Sequence, residues 1–477
     1  MNIDIEKIVS YFPSVEKLKR GLSFKEKLKW MLIILLVYFF LYHIPLIGIL
    51  PIYQAPNPLV ALYSTLTGAR IGSILTLGIA PILTSSIIVQ ILVASKIISW
   101  DIREPEERKK IRALEKLMAI IFIFVEGFVF TFSIGNFFPI KKGFEFLIFF
   151  QIVLGGFISF LLADALDKID IGGINLIILA GIISSFFISL FSPFSISKNG
   201  NYILWFQEKD AYPIGKVISL FVAMQRNNFE IFVTSFISLF STFLLIFFVI
   251  YILRSIIEIP ILHFQIRGFG RPLEFSLFYT SVLPIIFGSA LLANLNLMFL
   301  ASASTYIDEY RCGIFGCFDA NNNPISGIAY YLSSPRNLIF EFIGFGNREK
   351  LFNEIIRLII FFLFFTFILV VFSWIWTYTA GMDPESIAEN LTYYGFGISG
   401  YRVDERIVKD VLNRYIPYLT ILSGIFGALI ATLADISGSV LVSTSLIILV
   451  SASYNYLLMF KRERSEDIPT IIKKFLE

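Results

Sequence analysis

The sequence predicts an all-α polytopic membrane protein with ten transmembrane helices in two inverted five-helix halves. Three observations lead to this prediction. Hydrophobic residues make up 56% of the 477 residues and charged residues only 16%, whereas soluble domains average roughly 25% charged residues. Ten segments are long and apolar enough to cross a bilayer. Lys and Arg are divided unevenly between the two sets of loops that join these segments.

The ten spans follow from the length that a helix needs to cross a membrane. A hydrocarbon core about 30 Å thick requires roughly 20 apolar residues, because each helical residue rises only ~1.5 Å. The segments that meet this requirement are residues 30–50, 71–95, 117–138, 144–163, 172–194, 231–253, 275–304, 358–380, 415–434 and 436–460. The last two are separated only by Asp435, so they are interpreted as a helical hairpin with its turn at residues 435–439.

An even number of spans places both termini on one side, and the Lys and Arg distribution indicates which side. The segments on the side of the termini carry 26 Lys and Arg, and the opposite side carries 11. Both termini are therefore predicted to be cytoplasmic. The long gap at 195–230 divides the spans into five plus five, and an odd number per half inverts the second half relative to the first. The predicted parts are a cytoplasmic amphipathic segment, an N-terminal half, a C-terminal half and a cytoplasmic tail, at residues 1–29, 30–200, 201–460 and 461–477.

One external segment is too short to be a span. Residues 57–69, with the sequence NPLVALYSTLTGA, are mildly apolar and precede Arg70. They can fold back into the protein but cannot cross the membrane. This segment is either a re-entrant or interfacial helix that packs on the outer face, or a movable plug.

Residues that could carry out chemistry are scarce. Ionisable side chains within a membrane are usually functional, and there are few here, notably Glu126 in the third span, with Asp435 at the predicted turn. Glu126 is either a carboxyl satisfied by a neighbouring helix or a functional polar contact. The sparse set argues against ion-coupled transport. Two His and two Cys leave little for metal or acid–base chemistry, and no GxxxxGK[ST] phosphate loop occurs.

Two cytoplasmic loops, residues 254–274 and 381–414, are richer in Arg than simple connectors need to be. Their cations lie either near anionic lipid headgroups or against the phosphates of an RNA surface. The 34-residue length of the second loop favours the second alternative. In an external loop, Cys312 and Cys317 either form a local disulfide or remain free thiols.

Several motifs resemble those of the SecY family, the large subunit of the protein-conducting channel, and specifically its archaeal branch. The similarity runs in order along essentially the whole chain. The motifs are FKEKLKW at 24–30, ARIGSILTLGIAPILTSSIIVQILVAS at 69–95, GIAYYLSSP at 327–335, GMDPESIA at 381–388 and RYIPYLT at 414–420.

The resemblance implies an hourglass pore narrowed by a ring of aliphatic side chains and closed externally by a short plug helix. The ring positions are Ile79, Leu83, Ile174, Ile178, Ile286 and Ile430. Such side chains exclude water and ions by dewetting, although without the resemblance each would be interpreted as ordinary packing. The plug positions that match are Asn57, Leu59, Leu62, Tyr63, Leu66 and Arg70.

The resemblance also implies a lateral gate between the second and seventh spans, through which signal sequences and membrane helices reach the lipid. Its polar residues are Thr84, Gln90, Glu126 and Asn294. The two Arg-bearing loops match those that dock ribosomes, with the residues Arg254, His263, Arg267, Arg271, Arg402, Arg406 and Lys409.

The expected function is a passive, non-enzymatic channel without cofactor or metal, which carries nascent polypeptides across the plasma membrane. The expected partners are a SecE-like single-span subunit, a small second subunit (SecG/Sec-beta-like), the ribosome, signal sequences and membrane lipids. An inverted-repeat secondary transporter is the alternative function. An intramembrane hydrolase ranks last, because Glu126 has no visible catalytic partner in the sequence.

Overall fold

The computed structural model describes most of the chain. The residues described are 15, 22–49, 63–64, 67–98, 100, 104–133, 140–141, 143–170, 172–196, 202–208, 211–263, 270–280, 282–303, 305–307, 310–319, 322–343, 351–398, 404–441 and 444–462. Each of the ten predicted spans contains a helix, which confirms the ten-helix layout. By length and hydropathy alone, six helical segments of the described residues qualify as spans.

The N-terminal half contributes five long helices. They are α1 (Phe24–His43), α2 (Ala80–Ala94), α3 (Pro105–Ser133), α4 (Glu145–Lys168) and α5 (Gly173–Phe191). Helix α1 begins with a capping box, in which Ser23 and Glu26 satisfy each other's backbone N–H groups.

Helix α2 begins nine residues later than the predicted second span, which starts at residue 71. Residues 71–79 form turns, in which Gly72 and Gly78 have positive φ values of 89° and 54°. Glycine adopts such a backbone without the penalty that a Cβ imposes. Pro81 then stands in the first turn of the helix, where its missing N–H is not needed. The irregular segment is buried inside the protein, as non-helical backbone at membrane depth must be.

The C-terminal half follows a short external hairpin. In chain order its elements are β1 (Phe194–Ile196), β2 (Tyr202–Leu204), α6 (Lys216–Gln225), α7 (Phe229–Arg254), β3 (Ile256–His263), β4 (Gly270–Ser276), α8 (Leu283–Ser302), β5 (Thr305–Ile307), β6 (Tyr310–Gly313), β7 (Gly316–Phe318), β8 (Pro324–Gly327), α9 (Ile328–Tyr331), α10 (Leu338–Ile343), α11 (Leu351–Thr379), α12 (Pro384–Tyr393), β9 (Phe396–Ile398), α13 (Glu405–Leu412), α14 (Ile416–Ile436) and α15 (Ser445–Arg462).

The loops of the C-terminal half fold into small sheets that the sequence analysis does not predict. On one side, β3 pairs antiparallel with both β4 and β9, so the sheet order is β4-β3-β9. On the other side, β5 to β8 form a four-stranded antiparallel meander. Cys312 and Cys317 face each other across β6 and β7 and form a disulfide, which decides the question left open by the sequence.

The loop that follows the β5–β8 meander is fastened to α11 by a polar cluster. Arg357 donates to the carbonyl and hydroxyl oxygens of Ser333, forms an ion pair with Glu354 and stacks over the ring of Tyr330. Burial, together with a hydrogen bond to Glu354, raises the pKa of Tyr330 to about 12, so its hydroxyl remains a donor at neutral pH. These contacts fix the external loop relative to the helix ends.

One continuous hydrophobic core joins the two halves. Helix α2 packs against α8 and α11 at one edge of the interface, and α5 packs against α15 at the other edge. The contact between α11 and α14 is close because Gly424 lies on the Val370 backbone, where a Cβ would come within 2.8 Å. The interface between the halves is therefore formed by α2, α5, α8, α11 and α15.

Candidate functional site

The six aliphatic side chains expected to narrow a pore come from four helices that meet in the core. Ile79 and Leu83 begin α2, Ile174 and Ile178 begin α5, Ile286 begins α8, and Ile430 lies on α14. Five of them are at most 2% exposed, and Ile174 is half-buried. All six belong to the same hydrophobic cluster. The structure therefore brings these residues together inside the protein and does not distribute them over its outer surface.

Two adjoining cavities lead to this cluster from the end predicted to be cytoplasmic. The larger, of about 490 Å³, is lined by Ile82, Ile174 and several charged residues of α3 and α4. The smaller, of about 360 Å³, lies between α2, α5, α8 and α11 and is lined by Leu83 and Ile174. Both cavities thus reach side chains of the expected ring. Their walls are partly charged, because Arg112, Glu115 and Asp167 line both.

The described end of the expected plug contacts the start of α2 directly. The Ile79 N–H donates to the Thr67 carbonyl at 2.9 Å, and the Tyr38 hydroxyl donates to the Gly68 carbonyl. Tyr63 is fully buried and its hydroxyl donates to the Leu77 carbonyl at 3.4 Å. A Cβ on Gly78 would lie 2.3 Å from the Thr67 carbonyl oxygen. This close approach explains why the position before Ile79 needs a glycine.

Thr84 and Glu126, two of the expected gate residues, lie side by side where α2 meets α3. The Thr84 hydroxyl adjoins the Glu126 carboxyl and donates to the Ala80 carbonyl at 3.0 Å. Oε2 of Glu126 is buried and has no hydrogen-bond partner among the described residues. Tyr63 is close enough to interact electrostatically with the same carboxyl. Glu126 therefore lies between the expected gate and the expected plug.

Gln90 belongs to a separate polar chain nearer the cavities. Its amide nitrogen donates to the Ser86 hydroxyl, which donates to the Glu115 carboxylate, each at 3.0 Å. This chain again links α2 to α3. Asn294 is half-buried on α8, and within the described part of the chain no hydrogen bond joins it to the other three gate residues. The structure thus joins Thr84 to Glu126 of α3 directly and Gln90 to α3 only through Ser86.

The two Arg-bearing loops form one folded unit. Ile261 of the first loop pairs with Ile398 of the second, and a hydrophobic cluster separate from the main core lies beneath the sheet. Arg406 is exposed on α13, and Lys409 forms an ion pair with Glu385 at 3.2 Å. The two expected docking loops therefore act as a single surface.

Three further expected docking residues lie on α7, β3 and β4. His263 and Arg271 lie on β3 and β4, and only their backbone is described, whereas Arg254 ends α7 and is exposed. The remaining positions lie outside the described residues, namely Asn57, Leu59, Leu62, Leu66, Arg267 and Arg402.

Several residues of the site depend on long-range contacts and were not among those predicted from the sequence. Tyr38 holds Gly68 in place, and Ser86 and Glu115 connect α2 to α3. Gly78 carried a usable signal, because a glycine shortly before Pro81 in an apolar segment indicates a tight backbone turn. Glu115 carried none, because its position in the charged sequence before the third span predicts ordinary solvation.

Comparison with known proteins gives consistent matches. The SecY family model matches residues 73–457. The SecY protein translocase subunit of Methanocaldococcus jannaschii is 31% identical, covering 98% of each chain. A solved protein-conducting channel is 29% identical with a TM-score of 0.77 and 98% coverage of each chain. The Sec61 channel in a canine ribosome–channel complex from the endoplasmic reticulum is also 29% identical, with a TM-score of 0.74 and 98% coverage of each chain.

These likenesses bear on the geometry described above. The family match includes all six residues of the aliphatic cluster, the expected gate residues and both Arg-bearing loops. The solved channels match the arrangement of the helices over nearly the whole chain. Because sequence and fold agree over this length, the chain belongs to the SecY family and is the channel subunit of a protein translocase.

Proposed function

We propose that polypeptides pass between the two halves of the protein, through a constriction formed by the six aliphatic residues of the ring. The main support is the cavity of about 360 Å³ that ends on Leu83 and Ile174. A polypeptide entering from this side would meet the ring next. Bulky aliphatic side chains can move apart around a chain of any sequence, since they offer it no fixed hydrogen bonds, and they exclude ions when they close.

The segment at 57–69 seals the external side of this constriction in the resting channel. The contacts of its described end with Ile79 and Gly78 support this role, because Ile79 is one of the six ring residues. Among the described residues, moving the plug away breaks the hydrogen bonds to the Thr67 and Gly68 carbonyls and the bond from Tyr63 to Leu77. Such a seal can open without unfolding the helices around it.

The lateral gate opens where α2 separates from α8 and α11. A hydrophobic signal helix gains free energy by inserting there and reaching lipid, and this gain competes with the packing of the closed seam. The contacts of Thr84 and Ser86 with α3 keep α2 attached to the N-terminal half, so α2 and α3 move together.

The folded unit of the two cytoplasmic loops docks ribosomes through its basic residues, because Arg and Lys bind RNA phosphates. The Lys and Arg distribution supports cytoplasmic termini in the plasma membrane, and reporter fusions to each terminus test this orientation. The channel performs no chemistry, and its driving force comes from the ribosome or another external motor. A SecE-like single-span subunit and a second small subunit complete the complex, which co-purification from native membranes tests.

Cross-linking of a stalled secretory chain tests the path. The variant Ile178→Cys places a thiol in the ring. The variant Phe367→Cys places one on α11, at a position where the native side chain is 66% exposed. A ribosome-bound chain with a single cysteine should form a disulfide with position 178 and not with position 367. Equal cross-linking at the two positions, or none at position 178, would refute the proposed path.

A further inference from the structure

The tip of the external β6–β7 hairpin carries an unusual apolar side chain. Ile314 is 91% exposed, more than any other large hydrophobic residue in the described part of the chain. The tip itself, residues 313–316, has the sequence Gly-Ile-Phe-Gly and no charge. An isoleucine held in water at a rigid turn is unfavourable unless something apolar covers it.

The hairpin tip is held rigidly. The Cys312–Cys317 disulfide links the two strands immediately before the turn, and Gly313 pairs with Gly316 above it. Gly327 on β8 packs against the tip, because a Cβ there would lie 2.5 Å from the Phe315 carbonyl oxygen. Ile314 is therefore exposed on a turn that the disulfide and the packing of Gly327 hold rigid.

The tip turns back along α8 towards the membrane. Gly313 lies on the end of α8, where a Cβ would be 2.7 Å from the Ser302 carbonyl oxygen. Phe315, two residues after Gly313, packs on Phe299 with ring centroids 4.7 Å apart. Phe299 lies about 4.5 Å deeper along the helix than Ser302 and belongs to the apolar stretch Leu283–Leu300 that can span a membrane. Ile314 is thus held beside the carboxyl-terminal end of a helix that can span a membrane.

We propose that this braced hairpin inserts its tip into the lipid leaflet beside the external end of α8. Ile328 follows Gly327 and is 55% exposed, and Tyr331 is 40% exposed, so apolar and aromatic side chains accompany Ile314. Tyrosine is favoured at the membrane interface, where its ring is apolar and its hydroxyl remains hydrated. The contact of Phe315 with Phe299 joins the tip to the apolar stretch of α8.

The apolar partner of the tip is lipid, because the tip packs against the end of a helix that can span a membrane and carries no charge. The proposal does not depend on what passes through the channel. Its consequence is that α8, one wall of the proposed gate, is fixed at its external end to the depth of the surrounding leaflet.

Tryptophan quenching in lipid nanodiscs tests the proposal. Ile314→Trp introduces a reporter at the tip, and Ile328→Trp a second one nearby. Phe367→Trp on α11 is the membrane control, and Gln207→Trp, exposed in the external β1–β2 hairpin region, is the water control. The emission of the five native tryptophans is measured on the unmodified protein and subtracted.

Lipids brominated near the headgroup should quench a large fraction of the emission that each tip reporter adds. This fraction should equal the fraction of the Phe367→Trp emission that brominated lipids quench. The tip reporters should also be protected from aqueous iodide relative to Gln207→Trp. Iodide quenching equal to that of Gln207→Trp, with no effect of brominated lipid, would place the tip in water. Protection from both quenchers would show that protein covers the tip. Either of these results would overturn the proposal.

Discussion

Gly78 is the residue on which the contact between the expected plug and ring depends most directly. Its φ of 54° lies in the left-handed region, and an added Cβ would approach the Thr67 carbonyl oxygen to 2.3 Å. The neighbouring Ile79 N–H donates to the same carbonyl. One backbone position thus sets both the turn into α2 and the position of the plug end.

Replacement of Gly78 by alanine should therefore favour displacement of the plug. The closed state requires the left-handed conformation, which costs a residue with a Cβ about 1–2 kcal/mol. The clash of this Cβ with the Thr67 carbonyl adds to that cost. A change of this size shifts a closed-to-open ratio roughly 5- to 30-fold. We expect Gly78→Ala to raise the resting ion conductance of the reconstituted channel in planar bilayers.

Gly381→Ala is the matched control for this variant. Gly381 has a φ of 64°, and no atom lies within 4 Å of an added Cβ. The Gly381→Ala variant should lower the midpoint temperature of unfolding through the same backbone penalty and leave the conductance of the channel unchanged. Equal conductance of the two variants would show that Gly78 has no specific role in closing the channel.

At the residue scale, the ring could be predicted only through the family resemblance. Ile178 and Ile430 are fully buried, as any core isoleucine would be, and no spacing rule distinguishes them from Ile177 or Ala431. Glu126 was recognisable from the sequence as a rare carboxyl in a span. Its proximity to Tyr63 was not, because that contact depends on how the plug segment folds back onto α3.

At the element scale, the sheet of β4, β3 and β9 determines how the two Arg-bearing loops are presented. Strand β9 supplies Ile398, which is 6% exposed and packs with Ile259 and Val408 in the small cluster beneath the sheet. Leu262 on β3 pairs with the adjacent Gly397 but is 39% exposed. The sheet thus offers a buried and an exposed aliphatic residue at neighbouring positions.

Ile398→Ser should loosen both loops together, whereas Leu262→Ser should leave them folded. Removing a buried aliphatic side chain costs about 2–5 kcal/mol, which a small cluster with few members cannot absorb. We expect Ile398→Ser to increase proteolysis in residues 254–274 and 381–414 and to weaken co-sedimentation with ribosomes. Similar behaviour of the two variants would mean that the loops do not fold as one unit.

The sequence predicts helices better than it predicts their ends or the loop strands. Long apolar segments identify the helices because lipid leaves few alternatives for the backbone. The start of α2 at Ala80 depends on the turns at Gly72 and Gly78, which hydropathy ignores. The pairing of β3 with β9 joins segments far apart in the chain, and no local pattern specifies that register.

At the scale of the whole molecule, the proposed path coincides with the interface between the two halves. The ring side chains come from α2 and α5 of one half and from α8 and α14 of the other. Helix α2 contacts α8 and α11 at one edge, and α5 contacts α15 at the other. Separation of the halves at the first edge would therefore widen the ring and open a route to lipid in a single movement.

Ion leak through the resting channel tests this account most directly. The triple variant Ile79→Ser, Ile178→Ser and Ile430→Ser makes the constriction wettable, because hydroxyl groups replace side chains that exclude water. Its matched control is Leu36→Ser, Leu244→Ser and Leu363→Ser, three residues that are 71%, 53% and 62% exposed on the outer surface. The account predicts a higher bilayer conductance for the ring variant and the unmodified value for the control. A folded ring variant whose conductance equals that of the unmodified channel would contradict it.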